Sequence, residues 1–265
     1  CGPRPTRAAT PGGRGVTPSA TEAPLRGGVA SRRARLDPNH LLVAHALNNL
    51  GSVLQDLGRL QEARAHYAEA LERTHRSLGD GHPFAATVLN NLGALALLER
   101  DAAAARERFS EALRLGQAAL GAGHPAVAST HHNLGVALHA LGDSSAARGE
   151  LATALAIRRE ALGVAHPDFA ASLFALVTVE LEAGGAALAE AELRAAEEAW
   201  RGAPPRQAWV APWAEAQLGR CREARGDAAG ARRHLELARE QLAAHGYGPE
   251  SSFGRAVAGW LDAAR

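Results

Sequence analysis

The residues of this chain that could do chemistry recur at a fixed interval. The dipeptides His82-Pro83, His124-Pro125 and His166-Pro167 stand 42 residues apart, and one further step back reaches His40. The polar pairs Asn48-Asn49, Asn90-Asn91 and His132-Asn133 keep the same interval. Imidazoles ligate metals and move protons, so a histidine column invites both readings. One histidine per repeat, each next to a helix-starting proline, fits a capping residue at a joint better than a ligand. His131, His132 and His139 are denser, and His132 and His139 fall two turns apart on one helical face. No cysteine accompanies them and no HExxH spacing occurs, so neither a metal nor a cofactor is expected.

Catalytic signatures are missing as well. The 29 basic residues are all arginine, which removes phosphate-loop lysines, Schiff bases and lysine general bases. The chain has no GxSxG turn and no glycine-rich phosphate loop. Cys1 and Cys221 make no CxxC motif. Glu107, Glu111, Glu190 and Glu192 read as a solvated helix face, and Cys221 as a small packing residue. No catalytic residue is assigned, and a non-enzymatic role is expected.

These residues must be positioned by helices. The composition is 46% hydrophobic with only 4% aromatic residues, and alanine and leucine dominate, which suits closely packed helices. Residues 1–36 hold seven arginines, five prolines and six glycines. Such a segment buries little apolar surface and is expected to be a disordered leader or linker. The remainder is slightly acidic, without a basic field for nucleic acid or anionic lipid, and no apolar run reaches the roughly 18 residues of a membrane helix. A cytoplasmic location follows, with Cys1-Gly2 as the mature end of a lipoprotein as the minor alternative. The absence of methionine reads as a piece of a longer product, and the alanine-, arginine- and glycine-rich usage as a bacterial, GC-rich gene.

From residue 37 each 42-residue copy reads alike. Helix A opens at His-Pro or its equivalent and carries a Leu-Gly step. A small turn follows, then an alanine-rich helix B that closes at Leu78-Gly79, Leu120-Gly121 and Leu162-Gly163. Columns align: Gly51, Gly93, Gly135 and Gly219, with Val177 as the exception; Ala63 through Ala231; and Tyr67, Phe109, Leu151, Leu193 and Leu235. Small residues at fixed places let helix A press on helix B while the large residue plugs the gap. The repeats span about 38–79, 80–121, 122–163, 164–205 and 206–247, and a lone helix over 250–264, with Trp260 and Leu261 facing inward, closes the stack.

Leu-Gly, alanine twelve residues after the glycine, a large residue four later and alanine three later resemble the tetratricopeptide repeat. The LNNLG runs at Leu47–Gly51 and Leu89–Gly93 and the ALG…HP joint resemble its kinesin-light-chain type. The resemblance implies an all-α, right-handed α-solenoid of five helix pairs plus a C-terminal capping helix. It also implies a protein-interaction scaffold whose helices A line a concave groove, where family members hold peptides with asparagines. The expected partner is a protein or peptide. Two alternatives stay open: the C-terminal part of an enzyme such as a Ser/Thr kinase, and a purely architectural spacer.

On that basis the groove candidates are Asn48, Asn49, Asn90, Asn91, His132 and Asn133, with His45, Gln55 and His139 beside them by helical spacing. The first member of each pair is expected to face the groove. The second is open to either role, groove contact or a bond across the inter-repeat joint. Trp209 and Trp213 are expected to pack on Trp200, with a partner anchor as the alternative. Repeats four and five, which carry Phe174-Ala175 and Glu215 in place of the earlier residues, should present a different face.

Overall fold

The computed structural model describes residues 18–37 and 40–264. Among them are twelve α-helices and no strand: α1 (Pro18–Arg35), α2 (Leu41–Asp56), α3 (Leu60–Leu78), α4 (Pro83–Leu98), α5 (Ala102–Leu120), α6 (Pro125–Ala140), α7 (Ser144–Leu162), α8 (Pro167–Glu182), α9 (Ala186–Gly202), α10 (Val210–Ala224), α11 (Ala228–Ala244) and α12 (Ser252–Ala263). The chain divides between Asp143 and Ser144 into two compact units, each with its own packing.

The helix boundaries have local causes. His40, His82, His124 and His166 are N-caps in extended backbone, and each side chain accepts a backbone N–H two residues on. Helices B end at glycines with positive φ, Gly79 at 79° and Gly121 at 84°, a conformation closed to most side chains. The A-to-B turns repeat that device at Gly58, Gly142, Gly184 and Gly226, whereas the second repeat places Arg100 there at φ 65°.

In the pairs α2/α3, α4/α5 and α10/α11 the core is a close approach of helix A to helix B. A Cβ added to Gly51 would lie 2.7 Å from the Tyr67 ring, and one added to Gly93 would lie 2.6 Å from the Phe109 ring. Both rings are essentially sealed from solvent. In the second unit Gly219 meets Leu235 in the same way.

The expected disordered leader is corrected over part of its length. Residues 1–17 lie outside the described residues, but Pro18–Arg35 form α1 against α2. Val29 is buried, and Leu25 and Leu36 pack on the first core. Two of the arginines that suggested a solvated tail, Arg26 and Arg33, are engaged by acids. Arg26 donates to Glu22 and Glu62, Arg59 donates to Glu22, and Arg33 donates to Glu69. Bonds from Arg26 and then Arg59 hold Glu22 below the usual carboxylate range, and bonds from Arg59 and then Arg26 do the same for Glu62. Such exposed pairs each contribute little, so the apolar contacts carry the docking.

The second unit is closed by aromatic packing. Trp209 stacks on Phe253 of α12 with centroids 5.0 Å apart, and Trp213 meets Phe253 at 4.9 Å and Trp260 at 5.2 Å. The expected packing of Trp209 and Trp213 on Trp200 is therefore corrected. Trp200 instead meets Phe169 and donates Nε1–H to the Val164 carbonyl, because the capping helix supplies the nearer apolar face. Glu215 and Arg222, odd in the apolar pattern, are partnered by His234 and Glu190 at 2.7 Å each.

Two substitutions test this packing. Gly93→Ala should cost about 1–3 kcal/mol, since Phe109 has no room to retreat. Arg100→Gly should add about 0.5–1 kcal/mol by relieving the left-handed backbone. Urea unfolding checks both: the midpoint should fall in the first variant and rise in the second.

Candidate functional site

Three helices A of the first unit, α2, α4 and α6, share one solvent-facing side. On α2 it consists of Leu42, His45, Asn49, Ser52 and Asp56, all exposed and spaced three or four apart. One repeat on, α4 places Thr87, Asn91, Ala94 and Leu98 there, and α6 places Ser129, Asn133, Val136 and Ala140. Asp56 is the one charged side chain among these. The face is therefore polar and nearly neutral, with an asparagine at its centre on every helix.

The two members of each pair have different jobs. Asn48 is buried, at 7% exposure, while Asn49 is exposed. Asn91 Nδ2 donates to Asn48 Oδ1 at 2.8 Å, and Asn133 Nδ2 donates to Asn90 Oδ1 at 3.0 Å. The first amide of one repeat thus holds the second amide of the next. This corrects the expected orientation of Asn48 and Asn90, which belong to the joint. In Asn91 and Asn133 one N–H of each amide bonds across the joint, the second of the two roles left open for them; a carboxamide has an Oδ1 acceptor and a second N–H besides.

The flanking candidates separate similarly. His45 lies on the open face and stacks on Phe84 of α4, with centroids 3.8 Å apart. Burial, and then the nearby His82, hold its pKa below the ordinary histidine value. Gln55 is half-buried, and its Oε1 accepts from the Tyr67 hydroxyl at 3.2 Å, so it belongs to the A–B contact of its own repeat. Burial pushes the Tyr67 hydroxyl up to about 12, which keeps it a neutral donor. His132 and His139 are half-buried on α6, and His131 is buried with its Nε2 3.3 Å from Gln117 Nε2. Among the described residues no three His, Cys, Asp or Glu side chains converge as a metal site would require.

Ser52 and Leu42, which the sequence reading passed over, join the face. Their signal was helical phase, since both are in step with Asn49. The same lattice positions in the second unit are occupied by Ala175 and Gln217. Ala175 has no amide, and Gln217 is buried at 2% exposure, where it accepts from Arg220 Nη1 at 3.0 Å. Cys221 is also buried, and its thiol is pushed up to about 11 by desolvation, which leaves it protonated and unreactive near neutrality.

The amide pair itself is measurable. Asn48→Ala and Asn91→Ala should each destabilise the fold, and a double-mutant cycle in urea should return a coupling of about 0.5–1.5 kcal/mol. The same cycle between Asn49 and Asn91 should return a value near zero.

Comparison with known proteins places this geometry. The family model described as Tetratricopeptide repeat matches residues 42–115 and 85–160. No curated protein matches the sequence at a significant level. Among solved structures, BtubC (BKLC) from P. vanneervenii superposes with a TM-score of 0.75 at 20% identity, covering 86% of this chain and 92% of that one. A Podosopora anserina protein of nearly identical TPR-like repeats, described as a kinesin light chain, gives 0.70 at 21% identity, covering 79% and 98%. YrrB, described as a TPR protein with an unusual peptide-binding site, gives 0.54 at 17% identity, covering 87% and 97%. No described helix is long and apolar enough to cross a membrane. With the Leu-Gly lattice and the paired helices in agreement with the family match, residues 42–160 are tetratricopeptide repeats, and the described chain shares its fold with kinesin-light-chain-type repeats.

Proposed function

We propose that the open face of α2, α4 and α6 holds an extended segment of a protein partner, and that the chain is the non-catalytic docking part of a larger signalling or regulatory protein. The observation that carries this reading is the amide column. Asn49, Asn91 and Asn133 recur once per repeat on one face, and two of them are oriented by a neighbouring amide. A carboxamide donates and accepts at once, as a peptide backbone does, so a row of them suits main-chain recognition. The near-neutral surroundings favour a chain interior over a charged terminus. That YrrB, with the same fold, is described as having a peptide-binding site agrees with this reading.

The test is selection from a random-peptide display library, followed by titration of an enriched peptide. Asn91→Ala together with Asn133→Ala should weaken its binding by about 30-fold, corresponding to roughly 1 kcal/mol per amide. Leu237→Ala, on α11 of the second unit, should leave it unchanged. A library that enriches nothing on the folded protein favours the spacer role. Undiminished binding by the double variant at unchanged helicity moves the site elsewhere.

A further inference from the structure

Among the described residues, arginines withdrawn from water are met by acids or by other protein oxygens, with one exception. Arg26 and Arg73, both half-buried, donate to Glu22 and Glu69, and the half-buried Arg222 donates to Glu190. The fully buried Arg158 is bonded to two protein oxygens. Arg220, half-buried on α10, has neither arrangement. Its Nη1 donates to Gln217 Oε1 at 3.0 Å, and its guanidinium carbon lies 4.9 Å from the centre of the Trp260 ring of α12. Among the described residues no carboxylate comes within ion-pair distance of it. Burial holds its pKa below the ordinary arginine value, against smaller opposing effects of Cys221, Glu182 and Glu223. It is a cation at neutral pH all the same.

Two contacts fix this guanidinium and leave most of it unused. Gln217 is buried, and Trp260 is itself held against Trp213 with ring centroids 5.2 Å apart. The ring orients the guanidinium plane. Arginine carries five N–H donors in a rigid fork, and one of them is engaged here. The edge formed by Nε and Nη2 has the spacing of the two oxygens of a carboxylate. In the 42-residue lattice Arg220 stands where the first unit has Ser52, Ala94 and Val136, which lie on the open side of their helices. Small or apolar residues thus fill this position elsewhere. A half-desolvated cation without a counter-charge is a cost they avoid.

We propose that Arg220 is a binding site for an acidic side chain, aspartate or glutamate, of an extended partner segment that passes over α10. The incoming carboxylate accepts from Nε and Nη2, and Gln217 and Trp260 hold the fork in place for it. It also supplies the counter-charge that the fold itself withholds. Glu182 and Glu223 act on Arg220 through space, so they repel the same carboxylate, and removing either charge must tighten binding. The site belongs wholly to the second unit and stands apart from the amide face of α2, α4 and α6.

The test is a selection on the full chain from random peptides displayed between fixed flanks, so that no terminal carboxylate is offered. Peptides enriched by the unaltered chain and not by Arg220→Gln should share an aspartate or glutamate. One of them, synthesised with acetylated and amidated ends, should bind Arg220→Gln about 10-fold more weakly. Exchanging its acid for the corresponding amide should cost as much against the unaltered chain and almost nothing against the variant. Glu223→Gln should tighten the acidic peptide about 2-fold. Should Arg220→Gln not fold, Arg220→Lys takes its place. It keeps a positive charge over Trp260 but loses the fork, and binding should fall about 5-fold. A coupling factor near one between residue 220 and the peptide acid overturns the proposal, as does a selection in which no peptide depends on Arg220. Dependence on Asn91 and Asn133 is scored separately, so either site can fail alone.

Discussion

The distance between helix A and helix B within a pair is the constraint from which the rest follows. Gly51 and Gly93 have no Cβ, and the Tyr67 and Phe109 rings occupy the space one would fill. The ring buries a large apolar area against backbone, and the small columns at Ala63 and Ala70 let the rest of helix B come equally close. Because the contact uses one face of helix A completely, the opposite face of α2 is left to solvent. The same phase is set anew in the next repeat, so like residues stand next to like residues.

Within a pair the chemistry is repeated; between pairs it is improvised. One lattice position of helix B varies most: it is the buried Thr74 in the first repeat, and its hydroxyl returns to the Ala70 carbonyl. In the third repeat it is Arg158, buried and bonded to the Asp168 carbonyl at 2.9 Å and Ser172 Oγ at 2.6 Å. Desolvation holds that guanidinium below its usual pKa, and a buried cation bonded to neutral oxygens contributes specificity more than stability. In the fourth repeat it is Trp200, which turns to its own pair, meeting Phe169 of α8 with its indole N–H on the Val164 carbonyl. A repeat protein tolerates this variety because each joint touches only its neighbours.

The lattice made the helix pairs, their caps and their turns legible, because a 42-residue period fixes glycine, proline and alanine where backbone geometry demands them. It also held a signal that composition obscured. One period before α3 (Leu60–Leu78) lies the span of α1, with Leu25 in the place of Tyr67 and Val29 in the place of Leu71. Averaging residues 1–36 together mixed that helix with a proline- and glycine-rich segment of different character. The asparagines were a matter of phase. Successive helical residues differ by about 100°, so Asn48 shares its face with Ala44, Gly51 and Gln55, toward Tyr67. Asn49 is in step with His45 and Ser52. Spacings of three and of four were both compatible with the sequence, and only the position of the ring opposite Gly51 chose between them.

That phase explains why two amides per repeat succeed where one would be a weakness. A single asparagine within an exposed helix costs helix propensity and keeps its side chain mobile. A buried partner changes this. Asn48, shielded beside the next helix, cannot be left unpaired without a desolvation cost, and Asn91 supplies its bond. An aspartate at 48 would bring a desolvated charge to the joint, and a leucine would offer no acceptor. The neutral amide satisfies the buried site and fixes the neighbour's carboxamide in one bond. On the proposed reading, the ordering of Asn91 and Asn133 is thus supplied by stacking, before any partner arrives, and binding need not order those side chains again. Where Phe174-Ala175 replaces the pair, neither half of the device is present.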